Sequence, residues 1–269
     1  MSKNAHGQSQ MHKINHASFA PERLDRLRAA LREQHIVRVE ELCRRLGVSP
    51  ATVRRDLAHL EQLGEVQRVH GGAVGIASQI EEPLFDAKTT IARKEKQRIA
   101  RAALAFVQPG TTIYLDGGST VLELARLVRE HTNLTVVTNS LRAALELAGR
   151  GPRLILLGGE LRRLSQTLVG PLTEPVLREV HLDVAFMGSM GISEEAGLTT
   201  SDPNEAFTKK RVLAQARQVV VLVDSSKEGK VAFAEAGRWD DVDVVITDHQ
   251  ISRAFARALA EREIKVIKA

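Results

Sequence analysis

QVVVLVDSSK, residues 218–227, sets an unbroken apolar run against an abruptly polar end. Residues 219–223 are all apolar and read as a β-strand buried on both faces, the pattern of a parallel sheet covered by helices. Strands of that kind deliver the polar residues that follow them to the carboxyl edge of the sheet, where α/β proteins bind ligands. Asp224, Ser225, Ser226 and Lys227 are therefore candidates for a site, with Lys227 as its cation.

Apolar stretches at 111–115, 134–137, 154–157, 184–187 and 244–247 share the pattern and alternate with helical spacings at 121–129 and 141–147. This alternation predicts an open, mostly parallel, Rossmann-like α/β sheet. Asp116-Gly117-Gly118-Ser119-Thr120 ends one strand and opens a helix. Glycines allow close backbone approach, and hydroxyls beside the unpaired N–H groups of a helix start make an anion site. Thr138-Asn139-Ser140, Gly158-Gly159-Glu160 and Gly188 with Gly191 follow other strands. A strand-to-helix turn needs Gly, Ser or Thr for local reasons, and each of these turns alone is open to that reading. Five such turns, one with a lysine, favour a phosphorylated or polyhydroxylated small ligand.

A chain of 269 residues suffices for one large domain or two ordinary ones. With 43% hydrophobic and only 3% aromatic residues, its core must be built from Leu, Val, Ile and Ala. Cys43 is the single cysteine, which excludes a disulfide framework, and the nine histidines share no ligand spacing, so no metal or cofactor is expected. No apolar stretch approaches the roughly 18 residues of a membrane span. Residues 1–19 are polar, lack the apolar middle of a signal peptide and read as a disordered tail. A soluble, cytoplasmic protein is expected. The net charge of +5 is uneven: residues 1–74 hold 12 Lys+Arg against 8 Asp+Glu, and the remainder 26 against 25. An anionic partner is expected near the amino terminus.

That region has the spacing of three short helices. Leu24, Leu27 and Leu31 form one apolar face; Val39, Leu42, Cys43 and Leu46 form a second, closed by Gly47. Ser49 is suited to cap the third helix, with Pro50 at its first position. Val53, Leu57 and Leu60 point into a core, leaving Thr52, Arg54, Arg55 and His59 around the outer face. Residues 65–69 then alternate, residues 70–72 turn, and residues 73–74 resume, which predicts a hairpin wing. The pattern is that of a winged helix-turn-helix; a three-helix bundle with merely solvated arginines has the same spacing.

VSPATVRRDLAHLEQLG (48–64) followed by VQRVHGGAV (66–74) resembles the DNA-binding domain of DeoR-family bacterial transcriptional regulators. The likeness implies binding to a DNA operator through Thr52, Arg54 and Arg55, with Arg68 and His70 on the wing; Ser49 and His59 complete the candidate set. LDGGST, VVTNS, LLGGE, GLTT and DSSK occur in the family's order over residues 80–250. They imply a carboxyl-terminal domain that senses a small-molecule effector, usually a sugar phosphate, and that is similar to ribose-5-phosphate isomerase. By that likeness Ser119, Thr120 and Lys227 would hold the phosphate, and Asp183 or Gly158-Gly159 would face the sugar. Asp116, Gly117, Gly118, Asn139, Gly188, Glu205 and Lys209 are the other effector candidates.

The expected organisation is a tail over 1–19, a winged helix-turn-helix over 20–75, a linker and leading helix over 76–98, and the sensor over 99–269. Counting back from Asp224, the isomerase's carboxylate base falls on Lys209, and Phe186 stands where its second aspartate would be. Neither side chain can be the positioned carboxylate that moves protons between sugar carbons, so no enzyme is expected. Glu205, one helical turn earlier, is the one candidate for a repositioned base. The expected function is a homo-oligomeric (dimer or tetramer) repressor of sugar or polyol metabolism genes. The alternatives are an isomerase-like enzyme fused to a DNA-binding domain, and a DNA-binding protein whose second domain only oligomerises.

Overall fold

A computed structural model of the chain describes residues 20–33, 36–62, 66–69, 71–75, 82–149 and 151–269. The expected tail, residues 1–19, and His70 lie outside these. The chain divides into two compact units, 1–77 and 78–269.

The first unit runs α1 (Ala20–Glu33), β1 (Ile36–Arg38), α2 (Val39–Leu46), α3 (Pro50–Gln62), β2 (Val66–Val69) and β3 (Gly72–Gly75). Leu27, Leu31, Leu42, Leu46, Val53, Leu57 and Leu60 close one core, with Cys43 packed at its side. Gly47 ends α2 in the left-handed conformation, φ 67°, and its N–H returns to the Cys43 carbonyl at 2.9 Å. The spacing of the helices leaves β1 unanticipated. It pairs antiparallel with β3, Val37 opposite Ala73, so the wing is a three-stranded sheet in the order β1-β3-β2.

The second unit begins with α4 (Phe85–Thr90) and α5 (Arg93–Ala103), then β4 (Thr112–Leu115), α6 (Ser119–Val128), β5 (Thr135–Thr138), α7 (Leu141–Leu147) and β6 (Arg153–Leu156). A hairpin, β7 (Glu160–Arg162) and β8 (Thr167–Val169), and α8 (Glu174–Arg178) lead to β9 (Val184–Met187). Next come β10 (Gly191–Ser193), β11 (Gly197–Thr200), α9 (Pro203–Gln215), β12 (Val219–Leu222) and β13 (Ala234–Gly237). The unit closes with β14 (Val244–Thr247), α10 (Arg253–Glu261) and β15 (Lys265–Lys268).

Seven strands form one sheet in the order β15-β14-β12-β9-β4-β5-β6, and every pairing in it is parallel. Alternate residues of each central strand serve opposite faces. Val219, Val221 and Val223 pack with Leu177, Val212, Trp239 and Phe255. Val220 and Leu222 pack with Phe85, Ile99, Leu124 and Leu147. Burial on both faces is why these strands are continuous apolar runs in sequence. The chain leaves β4 towards β5 on one side and returns to β9 on the other, so the topology reverses between β4 and β9. Phe85 and Lys96, inside the stretch 76–98 read as linker and leading helix, are buried with Ile99, Ala100 and Ala103 of α5, so the described part of that stretch forms part of a wall of this unit.

Candidate functional site

Helix α3 carries the candidate DNA-contacting surface. Ser49 accepts the Thr52 N–H at 3.3 Å, and the two hydroxyls lie 3.0 Å apart, which caps the orphan donors of the first turn. Arg54, Arg55 and His59 are exposed, and none of the three makes a hydrogen bond or ion pair with the described residues. Asp56 is buried and paired with Arg23 Nε of α1 at 2.6 Å, which removes a carboxylate that would otherwise repel phosphates. Arg68 on β2 is exposed; its N–H donates to Glu61 Oε1 at 3.0 Å.

A cavity of about 90 Å³ opens in the second unit at the carboxyl edge of the sheet, where the topology reverses. Crevices at such switch points are the usual ligand sites of open α/β sheets. Gly117, Gly118, Ser119 and Thr120 line it as α6 begins. The first N–H groups of that helix have no partner within it, and the Ser119 and Thr120 hydroxyls make no hydrogen bond with the described residues. Lys227, delivered by β12, reaches the cavity with an ammonium that has no hydrogen-bond or ion-pair partner among the described residues. Burial lowers its pKa, against the pull of Asp224, and Lys230 and Lys88 lower it further.

Lys88 and Lys96 enter the same cavity from α4 and α5. Lys96 donates to the carbonyls of Lys88 at 2.6 Å and Ile91 at 2.7 Å, which ties the end of α4 to α5. Burial pushes Lys96 down to about 8, partly opposed by Asp224 and reinforced by Lys227 and Lys88. Two of its three donors are spent on carbonyls. Three lysines and a helix start around one small volume make a site for an anion.

Asp116 and Lys209 form a buried ion pair at the floor of the cavity. Asp116 also accepts the Gly188 N–H at 3.0 Å, and Lys209 donates to the Gly188 carbonyl at 3.0 Å, so the ends of β4 and β9 are held together through α9. Glu205 accepts from Thr200 and lies 3.5 Å from the Thr167 hydroxyl and 3.9 Å from Arg162 Nη1.

Gly117, Gly118, Ser119, Thr120, Gly188, Glu205, Lys209 and Lys227 thus converge on one cavity, with Asp116 behind them. Four other candidates do not line it. Asp183 precedes β9 at the amino edge of the parallel sheet, opposite the cavity, and accepts the Thr112 N–H at 2.8 Å; its placement facing a sugar is corrected by strand direction. Asn139 joins β5 to β8, its Nδ2 donating to the Leu168 carbonyl at 3.2 Å. Gly159, φ 141°, sits where a Cβ would lie 2.9 Å from the Val169 carbonyl, so it serves close packing of the hairpin, and Gly158 accompanies it in that turn. Glu82, Lys88 and Lys96 were not anticipated, because their segment reads as a charged linker. The missed signal is Lys96 on the stripe of Ile99, Ala100 and Ala103, a lysine on a buried helical face.

Among the described residues no group of three or more His, Cys, Asp or Glu could hold a metal ion, and no helix is long and apolar enough to cross a membrane. Residues 23–79 match the DeoR-like helix-turn-helix domain, and residues 91–249 the DeoR C terminal sensor domain. The chain is 34% identical over 237 residues to the glycerol-3-phosphate regulon repressor of Escherichia coli K12, covering 88% of this chain and 94% of that protein. It is 37% identical over 210 residues to the HTH-type transcriptional regulator GlpR of Haloferax volcanii, covering 78% and 82%. Ribose 5-phosphate isomerase A of Methanocaldococcus jannaschii aligns with 51% of this chain and 55% of its own at 23% identity and a TM-score of 0.39, too distant to carry an argument. Both units match in order and over most of the chain's length, and the chain therefore belongs to the DeoR family: it is a regulator of transcription and not an enzyme.

Proposed function

We propose that the protein is a cytoplasmic, homo-oligomeric repressor of sugar or polyol metabolism genes whose operator binding is modulated by a phosphorylated sugar or polyol. The observation that carries this is the meeting of Lys227, Lys88 and Lys96 with the open amino end of α6 in one cavity. A phosphate placed there accepts from backbone N–H groups, the Ser119 and Thr120 hydroxyls and Lys227, a combination suited to a dianion. The cavity has room for roughly six to nine water-sized groups, which suits a phosphate and a short hydroxylated chain. The E. coli relative's name, a repressor of a glycerol-3-phosphate regulon, supports a ligand of that kind. Thr52, Arg54, Arg55 and His59 on α3, with Ser49 at its start and Arg68 on the wing, supply phosphate and base-edge contacts in this reading. Two copies would meet two half-sites of one operator.

The test is a thermal-shift screen of the full chain against sugars, polyols and their phosphates. A ligand at about 100 times its Kd should stabilise the sensor by about 2.7 kcal/mol. A shift given by one or two phosphorylated compounds, and lost in Lys227→Ala, supports the reading. A shift given equally by unphosphorylated sugars and kept in Lys227→Ala refutes it.

A further inference from the structure

The segment that begins the second unit contributes a carboxylate to the cavity it helps to enclose. Glu82 has a side chain only 3% exposed, although it lies in no helix or strand. Oε1 accepts from Lys88 Nζ, while Oε2 accepts from Arg162 Nη2 and from Ser201 Oγ, each at 2.6 Å. Burial alone would raise this carboxyl. The hydrogen bond from Arg162 and the charge of Lys88 outweigh it and hold the group at about 2. Glu82 is therefore an anion near neutral pH, lodged among the cations that line the cavity. Arg162 is held in turn: Nε lies 3.3 Å from Asp202, while Nη1 is buried without a hydrogen-bond partner among the described residues, 3.9 Å from Glu205.

We propose that Glu82 is an internal counter-anion which a phosphate-bearing ligand displaces from Lys88 and Arg162, so that binding releases the start of the sensor from its own cavity. The inference rests on the cavity being the ligand site described above. A phosphate seated on α6 and Lys227 brings up to two negative charges towards Glu82, and like charges in a partly buried site repel. Its oxygens can also take over the donor of Lys88, which lines the cavity and whose hydrogen bond to an anion is charge-assisted. The ligand binds the form with Glu82 undocked more tightly than the docked form, which is the differential affinity a switch requires. Glu82 lies five residues beyond Ala77, the last residue of the DNA-binding unit, so its release acts first on the chain that tethers that unit.

Calorimetric titration of the full-length protein with inorganic phosphate tests this, together with hydrogen–deuterium exchange read by mass spectrometry. Glu82→Gln keeps the shape of the side chain and removes its charge. It should bind phosphate about five-fold or more tighter than the wild type, the lower end of usual coupling. Exchange of the backbone amides of residues 84–87 should rise with phosphate in the wild type and be fast without it in Glu82→Gln. Ser201→Ala removes one donor to Glu82 without changing any charge, and should shift both readouts the same way by less. If neither variant tightens binding while Lys227→Ala still abolishes it in the wild-type background, the displacement is overturned and the cavity reading survives. If no form of the protein binds phosphate, the cavity reading falls and the displacement falls with it.

Discussion

Lys209 on α9 and Asp116 after β4 are joined side chain to side chain beneath the cavity floor, and both also bond Gly188 at the end of β9. This one pair ties three elements together at the point where the sheet reverses. It also neutralises Lys209, whose charge serves the frame, and leaves Lys227 as the cation open to a ligand. Removing one partner of a buried pair strands the other charge, which costs about 3–5 kcal/mol. Lys209→Met should therefore lower the melting temperature of the sensor sharply, and Lys209→Met combined with Asp116→Asn should recover part of the loss. Equal losses in the single and double variants would assign the effect to packing.

Operator binding should separate from stability on α3. Arg55 is exposed and makes no hydrogen bond or ion pair with the described residues, so Arg55→Ala should weaken binding to an operator fragment by about 1–3 kcal/mol with melting unchanged. Asp56 lies beside it in sequence but is bonded to Arg23. Asp56→Ala should lower the melting temperature of the first unit and impair binding only as a consequence. Fluorescence anisotropy at several salt concentrations, beside a melting curve, distinguishes the two.

Lys96 makes ligand binding sensitive to pH. Its folded-state pKa of about 8 lies below the ordinary 10.5. The stability this group contributes is fully present above about 10.5 and is lost as pH falls through about 8, where the folded chain must protonate a buried amine. A dianion in the cavity favours the ammonium and raises that pKa again. Near pH 8.5, phosphate binding should take up protons, so the heat measured in two buffers of different ionisation enthalpy should differ. Lys96→Arg, which cannot lose its charge, should reduce the difference, the remainder being carried by Lys227, whose pKa is also lowered by burial.

Gly117 is required for close approach. A Cβ there would lie 2.2 Å from Thr167 Cγ2, and Thr167 is fully buried with its hydroxyl 2.7 Å from that of Ser165. Gly117→Ala should destabilise the sensor by about 1–3 kcal/mol, the usual cost of overpacking, and weaken phosphate binding. Adding Thr167→Ser, which removes the offending methyl, should restore much of the melting temperature. No recovery would mean that the crowding extends beyond that methyl, to Thr167 Cβ at 3.5 Å.

Six of the seven strands of the main sheet are visible as apolar runs: β4, β5, β9, β12 and β14 because both of their faces are buried, and the edge strand β6 because three apolar residues follow its exposed Arg153. β15 escapes notice because only two apolar residues, Val266 and Ile267, stand between its exposed lysines, Lys265 and Lys268. The three-residue strands of the β7–β8 hairpin and of β10 are too short to show any period. Cavity residues placed by strand-to-helix turns, such as Ser119 and Lys227, are readable because strand direction fixes which edge they occupy. The same rule, applied to Asp183, puts it on the wrong edge. Glu82 is invisible for another reason: its partners Arg162 and Ser201 are 80 and 119 positions away, and nothing local marks it.

Strand β1 has a mechanical consequence. It lies between α1 and α2 in the chain yet hydrogen-bonds to the inner strand of the wing, and Gly72 sits so close to Val37 that a Cβ would fall 2.4 Å from its carbonyl. The Val39 N–H adds a bond to the Gly71 carbonyl at 2.9 Å. Helices and wing therefore cannot hinge against one another, and the unit meets a duplex as one stiff die. A change in spacing between a groove contact and its flanking contact cannot be absorbed by bending the wing. The cost must appear as distortion of the DNA or as a lost contact.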